Sequence, residues 1–576
     1  MRKLKSISWV SVIVIVGSLG VLLLIPAERD RVRSAAVNQY FAPHLRAQVA
    51  ARPDDPQAGL ALADNSVGSL DTLPRNLEAF ERVFKLKPRW AAPHLLLGAA
   101  AVYRVPLVRP QEHAAYYRGD PERATPKAEP LTADQRRALR LGTEALRQAR
   151  SLDPDNAAPD YLLAYLALAQ HRDEDALTLL RSGSAKKRWS AGQREATIAR
   201  YQAYARAMPG LEAGMFARYF WPGWVARPLR ELARTVTGMA MLAQERGDDE
   251  QAIFLRQSMM HLGSVVMADG YTLIDVLVGI AVWHIGVAEI LTPAEKAAAL
   301  KGLSRGKPEA AWRAENRAYE LQQTAGMPKL TKYLRAHGHA RLADSVPPTS
   351  KALRAWSSDA RDALAADEVR TLPLLRLLSA FPQALMAAGG AVGLLVLCGA
   401  ACLVLLALGR RPTPITWAEW KWGLVVLGCG AVPFARIMIY SHGRLWLPIL
   451  PDLGEGYVAA TPSWGRVFAI VGLPLLVVAT AVVVWALRRR IAPSERPGYG
   501  RHYVGTLMAV LLPLTAVMLA GCVIMSVPLV ARAAAQAHRY GTMVYRGEAT
   551  YYGVKPPAAP VPAPAPQGKG PLGGQE

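Results

Sequence analysis

Five long apolar stretches constrain this chain more than any other feature of its sequence. The first, Ile7 to Ile25, runs for about 19 residues without a charge, enough to cross a bilayer as a helix. Arg2, Lys3 and Lys5 precede it. Pro26-Ala27-Glu28-Arg29-Asp30 follows without a small-x-small cleavage site, which favours an uncleaved signal anchor over a removed signal peptide. The other four crowd the C-terminal third: about Leu378 to Leu408, Trp420 to Ile439, Val467 to Leu487 and Val504 to Val530. Such continuous apolar surface exceeds what a water-soluble core absorbs, and a composition of 51% hydrophobic against 20% charged residues agrees.

The flanks of these stretches carry orientation. If all five cross, then Arg410-Arg411, Lys421, and Arg488-Arg489-Arg490 with Arg496 and Arg501 share a side with Arg2, Lys3 and Lys5. The segment 441–466 on the other side has few basic residues and holds Asp452 and Glu455. The positive-inside rule then places the N-terminus in the cytoplasm and residues 27–377 outside, and an odd number of crossings leaves the C-terminus outside as well. The formal net charge of +23 fits the same logic. Residues 27–380 hold 49 of the 68 Lys and Arg and 39 of the 45 Asp and Glu, so the excess is densest beside the apolar stretches. There it orients spans, which argues against nucleic acid as a partner. Trp417, Trp420, Trp422, Trp446 and Trp464 gather near predicted span ends, where amphipathic rings prefer the headgroup zone.

Between the first and second stretches, amphipathic helical periodicity is broken by prolines and short polar turns, with few alternating β-branched runs. All four cysteines (Cys398, Cys402, Cys429, Cys522) lie in apolar runs, so residues 27–377 must be held by packing rather than by disulfides or thiolate-bound metal. Related pieces recur there. One runs through Ala79, Phe80, Val83 and Phe84 to Lys87-Pro88 and continues with Leu95, Leu96, Leu97 and Gly98. Another has Ala145, Leu146 and Ala149 before Asp153-Pro154, then Tyr161, Ala164, Tyr165 and Leu168, and Ala176 and Leu180 beyond His171-Arg172-Asp173. A third sets Val236, Met239 and Ala243 before Gly247-Asp248, followed by Ala252 and Leu255. These pieces resemble tetratricopeptide repeats over residues 53–104 and 140–183 and, more weakly, 230–263. The resemblance implies a surface for binding protein. A generic packed helical domain is the competing reading, because a Pro- and charge-rich insertion at 105–131 breaks the period.

Few residues point to chemistry. There is no H-E-x-x-H and no C-x-x-C. Gly302 to Lys307 approximates a phosphate loop, but the glycines are one residue too close and Pro308 stands where Ser or Thr is needed. His337-Gly338-His339 lacks a third metal ligand and has Arg335 and Arg341 beside it, so a solvated turn is expected. Gly270-Tyr271-Thr272-Leu273-Ile274-Asp275 ahead of an apolar run resembles a prepilin start, but it lies mid-chain. The run to Ile290 reads as a core helix in preference to a sixth span, since it contains Asp275, His284 and Glu289. Phe220, Trp221 and Trp224, in a Pro- and aromatic-rich stretch, offer an interaction patch, with a buried crossover as the plainer alternative. Arg436, near the outer end of the third stretch, is the candidate intramembrane functional residue, against the alternative of a side chain snorkelling to the interface.

The expectation is an all-α chain. Residues 1–26 form a cytoplasmic N-terminus and signal anchor, 27–377 an irregular extracytoplasmic TPR-like domain, 378–531 four transmembrane helices, and 532–576 an extracytoplasmic tail, rich in Pro, Ala and Gly from about 555. No catalytic, cofactor or metal residue is assigned. The expected partners are membrane lipid and a protein bound by the outer domain, with a bacterial inner membrane as the setting and a cell-envelope scaffold or assembly factor as the role. The alternative is a transporter subunit or intramembrane enzyme acting through a bundle that includes Arg436, Pro474, Pro513 and Pro528.

Overall fold

A computed structural model describes residues 10–19, 49–65, 73–117, 129–206, 225–288, 327–412, 473–489 and 498–554. Among them the protein is all-helical, with one isolated bridge between Asn156 and Arg188 and no strand. The chain divides into two compact units. The larger comprises 42–207, 212–365 and 539–576, and the smaller 1–41, 208–211 and 366–538.

In the larger unit, α2 (Pro56–Asn65) and α3 (Leu73–Leu86) precede α4 (Ala91–Arg104), α5 (Pro110–Tyr116) and α6 (Ala133–Leu152). The piece built around Leu97-Gly98 falls on α4, which packs mainly on α6 across the 105–131 insertion. The helices approach closely because two glycines face the seam. A Cβ at Gly98 would lie 2.5 Å from Leu146, and one at Gly142 would lie 2.9 Å from Ala101. Thr132 and Gln135 close a reciprocal capping box at the start of α6, satisfying two of its free N–H groups. The insertion is not all loop: α5 buries Glu112, Ala115 and Tyr116 and packs on α10 (Ala226–Glu245). Arg109, at its N-cap, fastens it by donating to Glu112 Oε1 at 2.6 Å and to both carboxylate oxygens of Asp173 at 2.6 and 2.8 Å.

The second piece forms α7 (Ala158–Leu168), buried along its whole length, and α8 (Asp173–Ser184), which lies against it. After α9 (Gln193–Ala205), α10 and α11 (Asp249–Asp269) carry the third piece, joined through a turn at Gly247, whose φ of 78° suits only glycine without strain. The most extensive pairing in the unit is between α11 and α12 (Leu273–Val287). Their backbones nearly touch. A Cβ on Gly263 would stand 2.6 Å from Gly279 O, and one on Gly279 would stand 2.8 Å from Gly263 O.

That pairing bears on the apolar segment 271–290. At 15 residues, α12 is about 22 Å long, short of the ~30 Å hydrocarbon core. Its Leu273, Val276, Trp283 and Val287 join a core with Met260, Leu330 and Leu353. The prepilin-like pattern has a local cause as well. Thr272 is the N-cap of α12, its hydroxyl accepting from Asp275 N, while the Asp275 carboxylate accepts from Thr272 N. At the other end, buried Arg256 donates to Gly286 O and Ala288 O at 3.3 and 3.0 Å, supplying partners for carbonyls that the helix cannot bond itself. His337 also has a structural place: its Nε2 is 3.0 Å from Asp249 Oδ2 and its Nδ1 2.8 Å from Tyr333 O, in the turn made by Gly338.

α13 (Ala340–Ala407) begins in the larger unit and continues into the smaller. Among the described residues, two helical stretches are long and apolar enough to cross a membrane. They are Ala387–Ala407 of α13, whose apolar window is only 11% buried, and Tyr499–Ile524 of α15 (Tyr499–Arg546), at 56%. α1 (Val10–Leu19) and α14 (Leu473–Arg488) are shorter apolar helices. α14 lies beside α15, with Tyr503 donating to Val477 O at 3.2 Å and Tyr499 to Ala481 O at 3.0 Å. The expected span Trp420–Ile439 lies outside the described residues. α15 continues past the apolar stretch Val504 to Val530 as far as Arg546, and α16 (Glu548–Tyr552) follows.

Candidate functional site

Two polar clusters stand out in the larger unit. The first is buried between α7, α8 and α11. Tyr161 places its hydroxyl 3.2 Å from Ser184 Oγ, 3.0 Å from His261 Nδ1 and 3.1 Å from Ser258 O. Asp160, fully buried, pairs with Arg150 Nε at 2.8 Å and with the Lys186 ammonium. Burial pushes the Tyr161 hydroxyl well above the ordinary phenol range and lowers His261 to about 4, so both are neutral at physiological pH. A serine, a histidine and an acid in one place suggest nucleophilic chemistry, but the geometry does not carry it. Ser184 meets Tyr161 rather than the imidazole, and Ser184, Tyr161, Asp160 and His261 are at most 4% exposed. A substrate would have no approach, and the cluster instead fixes how three helices meet. Asn156 extends it to the 185–192 segment, accepting from Ser190 N and Ala158 N and donating to Ser190 O.

The second cluster sits at the N-terminal end of α12, where residues after 538 return to the larger unit. Tyr271 donates to Val544 O at 2.6 Å, Glu548 N to Tyr271 O at 3.0 Å, and Leu273 N to Glu548 Oε2 at 2.9 Å. Arg194 donates to Tyr545 O at 3.1 Å, and the Tyr201 and Tyr545 rings meet edge-on at 5.9 Å. Gly547, with φ of 89°, lets the chain pass Tyr271 O where a Cβ would stand only 2.9 Å away. The carboxylate of Glu548 therefore caps a first-turn N–H at the positive end of a helix dipole, beside the Asp275 carboxylate of the capping box. The Gln193 amide, with its nitrogen toward Asp275, reaches both oxygens at 3.2 and 3.3 Å. Burial, opposed by the Thr272 hydrogen bonds and helped by the charge of Glu548, raises Asp275 to about 7.

The candidates from sequence fare unequally. Arg436 and the patch of Phe220, Trp221 and Trp224 lie outside the described residues, as does Gly302 to Lys307. That last stretch also has the G-x-S-x-G spacing of a nucleophile elbow, in Gly302-Leu303-Ser304-Arg305-Gly306. Among the described residues no group of three metal-ligating side chains converges. Pro513 and Pro528 lie inside α15. The Asp275 cluster was half visible in sequence: Thr272-x-x-Asp275 before an apolar run is a capping signature. Glu548, which joins it through Leu273 N, is 275 positions beyond Leu273, and no local pattern links them. No family model, curated protein or solved structure matches the chain.

Proposed function

We propose that this protein is a membrane-held helical scaffold, presenting the larger unit to a protein partner on the outer side of a bacterial inner membrane. The observation that carries the reading is the course of α13: helical from Ala340 to Ala407, it starts among packed residues of the larger unit and ends in 21 apolar residues that are almost bare. An exposed apolar helix of that length calls for lipid. The return of residues 539–554 to the same unit that holds 340–365 adds a parity argument. If the unit lies on one side, the chain between 366 and 538 crosses an even number of times, which agrees with four spans and with an outer C-terminus. The recurring helix pairs of the larger unit, with their likeness to tetratricopeptide repeats, support protein as the partner, bound by surface complementarity.

The test is photocrosslinking in intact cells from exposed positions of the larger unit, such as Tyr103, Arg147 and Arg181. Discrete adducts to one protein from neighbouring positions, retained when 378–531 is replaced by an unrelated anchor of equal span number, support the scaffold. Adducts that vanish with that replacement, or none from any position, contradict it.

A further inference from the structure

α14 carries two features along one line: a bare apolar stripe and, at its end, a cluster of arginines. Leu475, Val478, Val482 and Trp485 recur at helical spacing and are each more than half exposed. The opposite face is engaged. Leu476, Thr480, Val484 and Leu487 are buried, and Tyr499 and Tyr503 of α15 donate to Ala481 O and Val477 O. From Leu475 to Trp485 the stripe rises about 15 Å, half of the ~30 Å hydrocarbon core and so the depth of one leaflet. Arg489 follows one turn beyond Trp485 and lies over its ring, with Cζ 3.7 Å from the centroid. Arg488 meets the Tyr499 ring at 5.5 Å, and Arg501 turns back along α15, its Nε 3.9 Å from where a Cβ on Gly498 would stand. Three guanidinium groups thus gather at one end of the helix pair.

We propose that this ridge binds an anionic phospholipid, one acyl chain lying along Leu475, Val478, Val482 and Trp485 and the phosphate held by Arg488 and Arg489 within the field of Arg501. The inference rests on the smaller unit being embedded in a membrane and adds to that reading a ligand and its place. Charge selects the ligand. No Asp or Glu occurs in 473–489 or 498–546, and the link between them adds two arginines against one glutamate. The Nε groups of Arg488 and Arg501 are shielded, yet have no hydrogen-bond partner among the described residues. Donors in that state call for an oxyanion, and the guanidinium plane matches phosphate in both shape and charge. A headgroup with its own ammonium would set a cation among three others, so a lipid of net negative charge is preferred over a zwitterionic one. The Trp485 and Tyr499 rings suit the same headgroup depth.

Native mass spectrometry of the full-length protein in detergent tests this, with phosphatidylglycerol and phosphatidylcholine of identical chains added in equal amounts. Phosphatidylglycerol should be retained in preference. Arg489→Gln should weaken its retention about fivefold, and Arg488→Gln with Arg489→Gln further, whereas lysine at both positions should keep most of it. Arg140→Gln with Arg147→Gln removes equal charge from the exposed face of α6 and should leave the preference unchanged. Glycerol phosphate, which has the charge without the chains, should not displace the lipid at equal concentration. Equal retention of the two lipids overturns the proposal, as does an undiminished preference in the double glutamine variant at 488 and 489. A preference lost equally in the α6 variant reduces the effect to overall charge, and displacement by glycerol phosphate reduces it to an anion site; either result also overturns the proposal. Release of the protein from membranes by detergent-free washing would remove the membrane reading itself, whereas a protein that stays in the membrane without lipid preference removes only this site.

Discussion

α12 and the Ala387–Ala407 stretch of α13 are both apolar helices with glycines, yet they have opposite fates. α12 is 15 residues long, is capped by Thr272 with Asp275 at one end and by Arg256 at the other, and is closed against α11 through Gly263 and Gly279. The α13 stretch is 21 residues long with an apolar window 11% buried, and its Gly389, Gly393 and Gly399 have nothing within 4 Å of a would-be Cβ. Apolar composition alone therefore assigns neither helix. What separates them is length against bilayer thickness, and whether polar groups at the ends have partners in protein.

The glycines offer the sharpest way to break this contrast. Gly263→Val places a branched side chain against Gly279 O and Trp283 N, and we expect it to destabilise the larger unit by about 3 kcal/mol. Gly393→Val in the exposed stretch should stay within about 0.5 kcal/mol, both read from thermal unfolding of the full chain in detergent. Similar midpoints for the two would erase the distinction. Next in size is Arg256→Met, which keeps the aliphatic stem but strips hydrogen bonds from Gly286 O and Ala288 O. A loss of about 2 kcal/mol is expected, with faster exchange concentrated at the C-terminal end of α12.

Acidity gives a further probe. Burial lowers both His261 and His284 to about 4, from an ordinary value near 6.5. The unfolded chain thus binds more protons between those values, so stability is full above about 6.5 and falls as pH drops toward 4. Asp275 works in the opposite sense, so the measurement belongs in an Asp275→Asn background. There the unfolding midpoint should drop by a few degrees between pH 7 and 5, and His261→Gln with His284→Gln should flatten the slope. Thr272→Ala should cost about 1 kcal/mol in the same unfolding measurement, from loss of the α12 N-cap.

Much of this architecture could be read from the chain itself. Helical periodicity gave an all-α protein, and the stretch from Leu378 to Leu408 contains the exposed apolar helix at 387–407. The turns at Asp153-Pro154 and Gly247-Asp248 fall where helices end. What could not be read depends on distant partners. Glu112 and Tyr116 sit in a stretch that looks like a charged insertion, and they are buried only because α10 lies over them. Tyr161, Ser184 and His261 come together from three helices, 100 residues apart at the extreme. The extension of α15 past Val530 and its docking through Glu548 needed the position of Tyr271, which no local pattern supplies.

In the proposed topology the larger unit and the C-terminal tail share one face of a membrane. With Cys398, Cys402, Cys429 and Cys522 replaced by alanine, single cysteines at Gln148 and Gln567 should both react with a membrane-impermeant maleimide in intact spheroplasts, while one at Ser6 should react only after permeabilisation. Protection of Gln148→Cys or Gln567→Cys until the membrane is breached would contradict the account.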